Sequence, residues 1–148
     1  MKKLNRNSQF VDSLLEAAGI RIKAARTHIL SSLIRFGRPV SHSELTSEEA
    51  VEKYDRVTVY RTLTTLQKGG LVHAVRGTDG ITRYCAHSPA AGGCPGDHPH
   101  FICRCCGKMV CLSDQRMSRV EVPEGYTVEG KQFLVFGMCD ECTEPGKL

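Results

Sequence analysis

The fold is decided by residues 55–85, which read DRVTVYRTLTTLQKGGLVHAVRGTDGITRYC. Asp55 can cap a helix, because its carboxylate accepts hydrogen bonds from backbone N–H groups of the first turn. Apolar residues follow at spacings of four and three, as on the buried face of an amphipathic helix: Val59, Leu63 and Leu66. A glycine pair then ends the segment, so the stretch begins with one well-delimited helix.

Three more helices are predicted upstream of this one. Apolar residues at helical spacing indicate two of them, the first ending at Gly19 and the second near Gly37. Ser41 and Glu44 form a capping box, in which each side chain bonds the backbone N–H of the other residue, and start a third. We expect this third helix to run to about Ala50.

A β-hairpin is predicted after the fourth helix. The runs 71–76 and 81–85 are rich in β-forming residues and flank a turn of glycine, threonine and aspartate. Short helices followed by a hairpin are the order of a winged helix-turn-helix, whose second motif helix enters the major groove of DNA. Thr58, Tyr60 and Arg61 lie away from the buried stripe of that helix, which suits contact with DNA. An ordinary small helical domain with a polar face is the alternative.

Charge and cysteine content change together near Tyr84. Residues 1–83 carry 14 Lys/Arg and 8 Asp/Glu, whereas residues 84–148 carry 6 Lys/Arg, 8 Asp/Glu and all 8 cysteines. A basic first half is typical of a domain that binds nucleic acid, and a cysteine-rich second half is typical of metal binding. Chance and a solvated polar face are the alternative explanation of the charge.

The second half reads as a small sheet behind a loop. Residues 86–97, AHSPAAGGCPGD, are small and rich in glycine, alanine and proline, which predicts a hinge or loop. Beyond it we expect few helical signals, with at most one turn near 113–117. Short apolar runs predict the strands: 101–103, 109–112, 126–128 and 133–136.

The sequence predicts a cytoplasmic protein with no membrane partner. The N-terminus has no apolar run of signal-peptide length, and no stretch approaches the roughly 20 apolar residues of a spanning helix. In a reducing cytosol, cysteines bind metals or act as reactive thiols more often than they form disulfides.

Two CxxC motifs supply four thiolates for one metal ion. Cys103 and Cys106 precede a Gly-Lys turn, and Cys139 and Cys142 follow with 32 residues between the pairs. Four thiolates make the closed tetrahedral site that is typical of structural zinc, whose binding would supply folding free energy to the small second half. Two unrelated or redox-active pairs are the alternative, but a thioredoxin-like site needs a βαβ context that the sequence lacks.

Five further donors exceed the needs of that site: His73, Cys85, His98, His100 and Cys111. His98 and His100 project to one face of an extended segment, so which of them completes a site with the other three stays open. Thiolate with imidazole favours zinc over manganese or non-cluster iron. Because the donors come from both halves, a bound metal ion would favour a closed arrangement of the two. No role is assigned to the remaining cysteines and histidines: Cys94, Cys105, His28, His42 and His87.

Motifs along most of the chain resemble those of the ferric uptake regulator family. VTVYRTL at 57–63 is similar to the family's recognition helix, and HPHFICRCCGK at 98–108 is similar to its metal-binding motif. GLV at 70–72, GMCDEC at 137–142 and GIRIKAAR at 19–26 match further motifs of the family, in the same order.

The resemblance implies a homodimer that represses transcription when it holds a regulatory metal. Its winged helices would bind the two half-sites of a two-fold symmetric DNA duplex, and its C-terminal units would form the dimer interface around a structural zinc. Tyr60 is implied to reach bases, Arg61 the backbone or bases, and Arg21 the minor groove. The fold class implied is α+β, with a winged helix-turn-helix at 1–85, a hinge at 86–97 and a small zinc-stapled α/β dimerisation domain at 98–148.

Four positions favour the zinc-sensing branch of the family. His73 and Cys85 are similar to the sensory ligands of zinc uptake regulators. Cys111 stands where iron and peroxide sensors have an acidic residue, and Lys131 stands where iron sensors have a histidine. We therefore expect a zinc-responsive repressor of metal-homeostasis genes with a second, regulatory zinc. A sensor of iron, manganese or peroxide on the same frame is the alternative.

Two other classes of function are less well supported by the sequence. A zinc enzyme needs an open site with a general base, and only Asp97 lies beside the His-Pro-His motif, so we expect no enzyme. A zinc-stapled protein-interaction module would leave the exposed face around Tyr60 unexplained. Pro123 limits the helix that the family has near 113–124, so we expect a smaller or differently built dimer interface.

Overall fold

The computed structural model describes residues 2–86 and 98–143, with side chains from residue 7 onward. The predicted hinge, apart from Ala86, lies outside these residues, and so do His87 and Cys94. Among the helices described, none is long and apolar enough to cross a membrane.

Side-chain caps start two of the four helices in the first part of the chain. The hydroxyl of Ser41 accepts from the N–H of Glu44 at 3.1 Å, and the Glu44 carboxylate accepts from the N–H of Ser41 at 2.9 Å, which confirms the capping box. Asp55 accepts from the N–H of Thr58 at 2.9 Å, which confirms the second cap. The helices are α1 (Lys2–Ala17), α2 (Ala24–Phe36), α3 (His42–Thr46) and α4 (Arg56–Lys68).

Helix α3 is shorter than the sequence predicts, because it ends at Thr46 and not near Ala50. The hydroxyls of Thr46 and Ser47 both donate to the carbonyl oxygen of Ser43, at 3.1 and 3.0 Å. Such local bonds compete with the backbone bonds that would extend a helix. The chain therefore continues in turns until it reaches α4.

A three-stranded antiparallel sheet packs beside these helices. The predicted hairpin forms β2 (Val72–Arg76) and β3 (Thr82–Ala86), and β1 (Val40–Ser41), which the sequence did not predict, adds to the far side of β3. In the β2–β3 pair, His73 stands opposite Cys85. The hairpin is the wing, and its register brings one predicted metal ligand beside another.

The helices and the wing share one hydrophobic core. The predicted stripe of α4 is confirmed, since Val59, Leu63 and Leu66 are each at most 1% exposed and pack in that core. Burying each of these side chains is worth roughly 1.5–3 kcal/mol. Because one face of α4 is fixed in the core, its opposite face, with Tyr60, is held toward solvent.

The C-terminal part forms a second three-stranded sheet with a short helix at its edge. The central strand pairs with one neighbour in antiparallel and with the other in parallel orientation. The elements are β4 (His100–Cys103), β5 (Met109–Cys111), β6 (Leu134–Gly137) and α5 (Asp140–Thr143), and the strand order is β5-β4-β6.

The predicted strand at 126–128 does not form, and the connector 112–133 contains no helix or strand. Tyr126 donates its N–H to the carbonyl of Pro123 at 3.1 Å, so this backbone closes a turn and joins no sheet. A single turn lies at 113–115, near the one predicted. The sequence predicted that Pro123 limits a helix near 113–124, and the structure has no helix there.

The wing packs directly on the C-terminal sheet. Val75 of β2 is buried with Ile102 of β4 and Met109 of β5 in a small second core. The side-chain amide of Gln132 donates to the carbonyl of Arg76 at 2.7 Å and accepts from its N–H at 3.0 Å. These contacts hold β2 against the segment that precedes β6.

Candidate metal centres and nucleic-acid interface

Four cysteine sulfurs converge at one end of the C-terminal sheet. Cys103 ends β4 and Cys106 follows in the next turn, while Cys139 directly precedes α5 and Cys142 lies within it. All four sulfurs lie within 4.8 Å of one another. A zinc–sulfur bond of about 2.3 Å places tetrahedral sulfurs roughly 3.8 Å apart. The sulfurs of Cys106 and Cys139 are 3.8 Å apart. The spacing and the donor type therefore fit a closed zinc site.

Backbone N–H groups polarise this site unevenly. The N–H groups of Cys106 and Cys139 point at the sulfur of Cys103 and lower its pKa to about 6. Hydrogen bonding to the Cys139 thiol, together with burial, raises the pKa of Cys142. At neutral pH Cys103 is thus mostly a thiolate whereas Cys142 keeps its proton, which a metal ion must displace to bind that sulfur.

A fifth cysteine lies next to this site. Cys105, for which the sequence predicted no role, is exposed, and its thiol is in hydrogen-bonding reach of Cys142. The sequence signal was only its place between two ligands in Cys-Arg-Cys-Cys, which does not fix the direction of a side chain.

A second cluster of donors lies between the wing and the C-terminal sheet. It consists of His73 from β2, His98 from the segment just before β4, His100 from the start of β4, and Cys111 from the end of β5. One ligand atom of each lies within 4.8 Å of the others. The structure thus brings both candidate histidines to the cluster, together with one donor from the wing.

Cys85 lies at the edge of this cluster. Its sulfur is 3.6 Å from the sulfur of Cys111, but Cys85 is not one of the four residues whose donors all lie within 4.8 Å of one another. Strand pairing places Cys85 opposite His73 in the wing and Cys111 opposite His100 in the C-terminal sheet. The packing of the two sheets then brings Cys85 next to Cys111.

The donor set of this cluster fits a metal ion of intermediate softness. The Nε2 atoms of His73 and His100 are 3.1 Å apart, and His98 and His100 are only 6% and 2% exposed. Within the described residues, Nδ1 of His100 is buried without a hydrogen-bond partner, and such a group carries an uncompensated desolvation cost. Three imidazoles and one thiolate suit zinc better than they suit manganese, which prefers oxygen.

The exposed face of α4 carries the predicted DNA-binding side chains. Tyr60 is 61% exposed, and Arg61 is exposed beside it. The hydroxyl of Thr58 donates to the carboxylate of Asp55 at 2.6 Å, so it also holds the helix cap. Arg21 lies in the loop before α2, where its carbonyl accepts from the Arg26 guanidinium at 2.7 Å.

Two open grooves flank this face. One, of about 950 Å³, lies between α3, α4 and β3, and the other, of about 500 Å³, lies between α4 and the start of α2. The second groove is lined by Lys23, Arg26 and Arg61, of which only Arg61 was predicted to contact DNA. The cluster of basic residues at the start of α2 could have suggested that Lys23 and Arg26 also contact DNA.

Comparison with known proteins gives the same assignment from independent sequence and fold similarity. The profile of the ferric uptake regulator family matches residues 17–132. A peroxide-responsive repressor, PerR, of Staphylococcus epidermidis is 27% identical over 143 residues, covering 89% of this chain and 87% of the relative. A zinc uptake regulation protein of Mycobacterium tuberculosis is 27% identical over 136 residues, covering 86% and 98%.

Solved structures share the fold. One described as a zinc uptake regulator complexed with zinc and DNA aligns with a TM-score of 0.65 and 20% identity, covering 97% of each chain. Together with the family match, which spans most of the sequence, this leads to one assignment. The chain belongs to the ferric uptake regulator family.

Proposed function

We propose that this metal-responsive transcriptional regulator senses zinc and represses genes of metal homeostasis. The observation that carries the proposal is the convergence of His73, His98, His100 and Cys111 between the wing and the C-terminal sheet. Cys85, which the sequence also predicted as a ligand, supplies a further sulfur beside Cys111. The separate four-cysteine site, formed by Cys103, Cys106, Cys139 and Cys142, would hold a structural zinc.

The donor atoms of the second cluster favour zinc, whereas the names of the relatives include both peroxide and zinc regulators. One relative is a peroxide-responsive repressor and another is a zinc uptake regulation protein. The second cluster consists of imidazoles and a thiolate, and among the residues that the structure describes no carboxylate belongs to it. Iron(II) and manganese(II) sites in proteins use more oxygen ligands, so this donor set supports zinc.

The position of the second cluster explains how a metal ion would affect DNA binding. His73 belongs to the wing, whereas the other three donors belong to the C-terminal sheet. A divalent ion would supply bonds to both units and would bind the closed arrangement more tightly than an open one. The wing follows α4 in the chain, so fixing the wing also fixes the orientation of the α4 face.

We propose that the DNA-binding unit is 1–85 and the dimerisation unit is 98–148, joined by a hinge at 86–97. Tyr60, Arg61 and Thr58 would contact the major groove and Arg21 the minor groove. A homodimer would present two such faces to a two-fold symmetric site. Large apolar side chains of the C-terminal unit are exposed in the single chain, which supports a subunit interface there: Val120, Tyr126, Val128, Phe133, Val135 and Phe136.

DNA retention from a random-sequence duplex pool would test this proposal. The protein would carry its structural zinc, and free zinc(II), iron(II) or manganese(II) would be buffered at low and high levels. We expect zinc alone to enrich a palindromic sequence, with binding that weakens steeply as salt increases, because phosphate contacts release counterions. Enrichment by iron or manganese instead would mean that the protein senses that metal and not zinc. No enrichment with any metal would contradict regulation by DNA binding.

Substitutions in the second cluster would identify the sensor. We expect Cys111→Ser and His73→Ala to abolish the zinc-dependent enrichment while the structural zinc remains. Cys105→Ser is the matched control, because Cys105 is an exposed cysteine outside the second cluster. Equal loss in the control would show that the effect comes from general damage to the C-terminal unit.

A further inference from the structure

The thiols of Cys85 and Cys111 meet across the contact between the wing and the C-terminal sheet. Their sulfurs are 3.6 Å apart, although the residues belong to different sheets, β3 and β5. This contact is closer than the 3.8 Å between Cys106 and Cys139 in the four-cysteine site. A disulfide has a sulfur–sulfur bond of about 2.05 Å, so side-chain rotation and a small shift of one strand would bring the pair to bonding distance.

The two thiols differ in their access to solvent. Cys85 is 1% exposed, whereas Cys111 is partly exposed at the end of β5. A small oxidant would therefore reach Cys111 first, and Cys85 would be the nearby thiol that completes the reaction. Reactive cysteines in oxidant sensors commonly stand beside such a second, resolving cysteine.

We propose that Cys85 and Cys111 form a reversible disulfide when a hydroperoxide meets the second cluster without its metal ion. The Cys111 sulfur attacks the peroxide oxygen, the O–O bond breaks, and the products are a sulfenic acid on Cys111 and an alcohol or water. The thiol of Cys85 then attacks the sulfenic sulfur, which releases water and leaves the disulfide. The two thiols lose two electrons and two protons in total, and the hydroperoxide is reduced.

Metal binding and this oxidation exclude each other. Cys111 is one of the four converging donors, and a sulfur in a disulfide is no longer a thiolate ligand. Conversely, a thiolate bound to zinc has its lone pair engaged and is shielded from the peroxide. The regulatory consequence of this inference rests on the proposed function. Oxidation during zinc shortage would prevent the regulator from responding when zinc returns.

Peptide mapping would test the disulfide independently of DNA binding. Protein carrying only the structural zinc, and protein with both sites loaded, would be treated with hydrogen peroxide, alkylated and digested for mass spectrometry. We expect a Cys85–Cys111 cross-linked peptide, lighter by two hydrogen atoms, in the first sample only, and its loss after treatment with a thiol reductant. Absence of this peptide, or equal amounts in both samples, would overturn the inference.

Variants separate this pair from the other thiols. Cys85→Ser and Cys111→Ser should each abolish the cross-link, whereas Cys105→Ser should leave it at the wild-type level. A cross-link that persists in Cys85→Ser would show that another cysteine is the partner of Cys111 and would contradict the assignment. Circular dichroism of each variant would confirm that the fold is kept.

The consequence for regulation needs a separate readout. In excess zinc, the oxidised protein is expected to hold one zinc per chain, the structural one, where the reduced protein holds two. It is also expected to lose the zinc-dependent rise in DNA affinity, which we expect to be on the order of tenfold or more. A total of two zinc ions per chain in the cross-linked protein would contradict the competition. Reduced protein that shows no zinc-dependent DNA binding would instead count against the proposed function and leave the disulfide itself standing.

Discussion

Arg83 is a buried cation that connects the wing to the four-cysteine site. Its side chain is 4% exposed, and its guanidinium donates to both carboxylate oxygens of Asp79, at 3.0 and 2.7 Å. It also lies so close to two glycines that a Cβ added to Gly77 or Gly107 would fall 2.5 or 3.2 Å from it. The turn of the wing and the turn after Cys106 therefore pack on the same guanidinium.

We predict that Arg83→Gln lowers the free energy of unfolding by about 2 kcal/mol, because the buried guanidinium and its charge-assisted bonds to the exposed Asp79 are lost. The Arg83 guanidinium holds the pKa of Asp79 at about 2, below its ordinary 3.8. A lowered pKa stabilises the fold above pH 3.8, and this contribution is lost as the pH falls toward 2. At neutral pH the contribution is present in full, so urea unfolding of the zinc-loaded protein near pH 7 measures it.

Arg76→Gln is the matched control for this prediction, because Arg76 is exposed in the same wing. We expect it to change the unfolding free energy by less than about 0.5 kcal/mol. A similar loss in both variants would mean that the stability of the wing depends on its net charge and not on the bonds between Arg83 and Asp79.

Cys103 gives the four-cysteine site an unusual proton balance. Its pKa of about 6 means that this sulfur is mostly a thiolate above pH 6, before a metal ion arrives. We predict that zinc uptake near pH 7.5 releases fewer than four protons at this site, and that release increases as the pH falls through about 6. An indicator dye in weak buffer measures the release. Release of four protons per zinc both at pH 7.5 and near pH 6 would contradict the prediction.

Helix α4 shows how well the sequence predicted an element whose signals are local. Its cap at Asp55, its buried stripe and its glycine stop all lie within or next to the helix, and the structure confirms each. The end of α3 was missed, because the bonds of Thr46 and Ser47 to Ser43 compete with a helix only once the chain has begun to turn. The strand predicted near Tyr126 was wrong, because apolar alternation indicates a strand without showing that a partner strand is available.

The candidate sites were predictable to the extent that residue type and spacing define them. The CxxC spacing led directly to the cysteine cluster, and the surplus donors led to the second one. The contact between Cys85 and Cys111 was not predictable, because it depends on how two separate sheets meet. The bonds between Gln132 and Arg76 were not predictable either, because Gln132 is a polar residue in a connector with no motif around it.

Gln132 ties strand β2 to the C-terminal unit. Its amide pairs with both backbone groups of Arg76 in the way a neighbouring strand would. We predict that Gln132→Ala weakens zinc binding at the second cluster about fivefold, near 1 kcal/mol, because the closed arrangement loses two exposed hydrogen bonds. Chelator competition with the structural zinc in place measures this affinity.

Gln132→Glu is an informative companion variant. The carboxylate can still accept from the N–H of Arg76 but no longer donates to its carbonyl. We expect an affinity between those of the wild type and Gln132→Ala. An unchanged affinity in both variants would show that the amide does not help to hold the wing in place.

At the scale of the whole molecule, the exposed apolar side chains of the C-terminal unit require an explanation. Val128 on the connector is 54% exposed, and Phe133 directly before β6 is 55% exposed. Single chains rarely expose such clusters unless they mark an interface. We predict that a Val128→Glu, Phe133→Glu double variant shifts the protein from dimer to monomer at micromolar concentration, as measured by sedimentation velocity.

Val57→Glu is the control for this shift. Val57 is also apolar and is 55% exposed, but it lies at the start of α4 in the other unit. We expect it to leave the dimer intact. Dissociation by Val57→Glu, or a dimer that survives the double substitution, would place the interface elsewhere.

The parallel pairing of β4 with β6 bears on how quickly the protein folds after synthesis. His100 meets Leu134 across an intervening segment that includes β5 and the connector 112–133, and closing a loop of this length costs about 3 kcal/mol of chain entropy. The four cysteines close nearly the same loop, so zinc held there removes most of this cost before the strands meet. Chains made during zinc scarcity would then mature slowly and stay exposed to proteases. The supply of working regulator would decline with zinc over the time of protein synthesis, a slower response than ligand exchange at the second cluster.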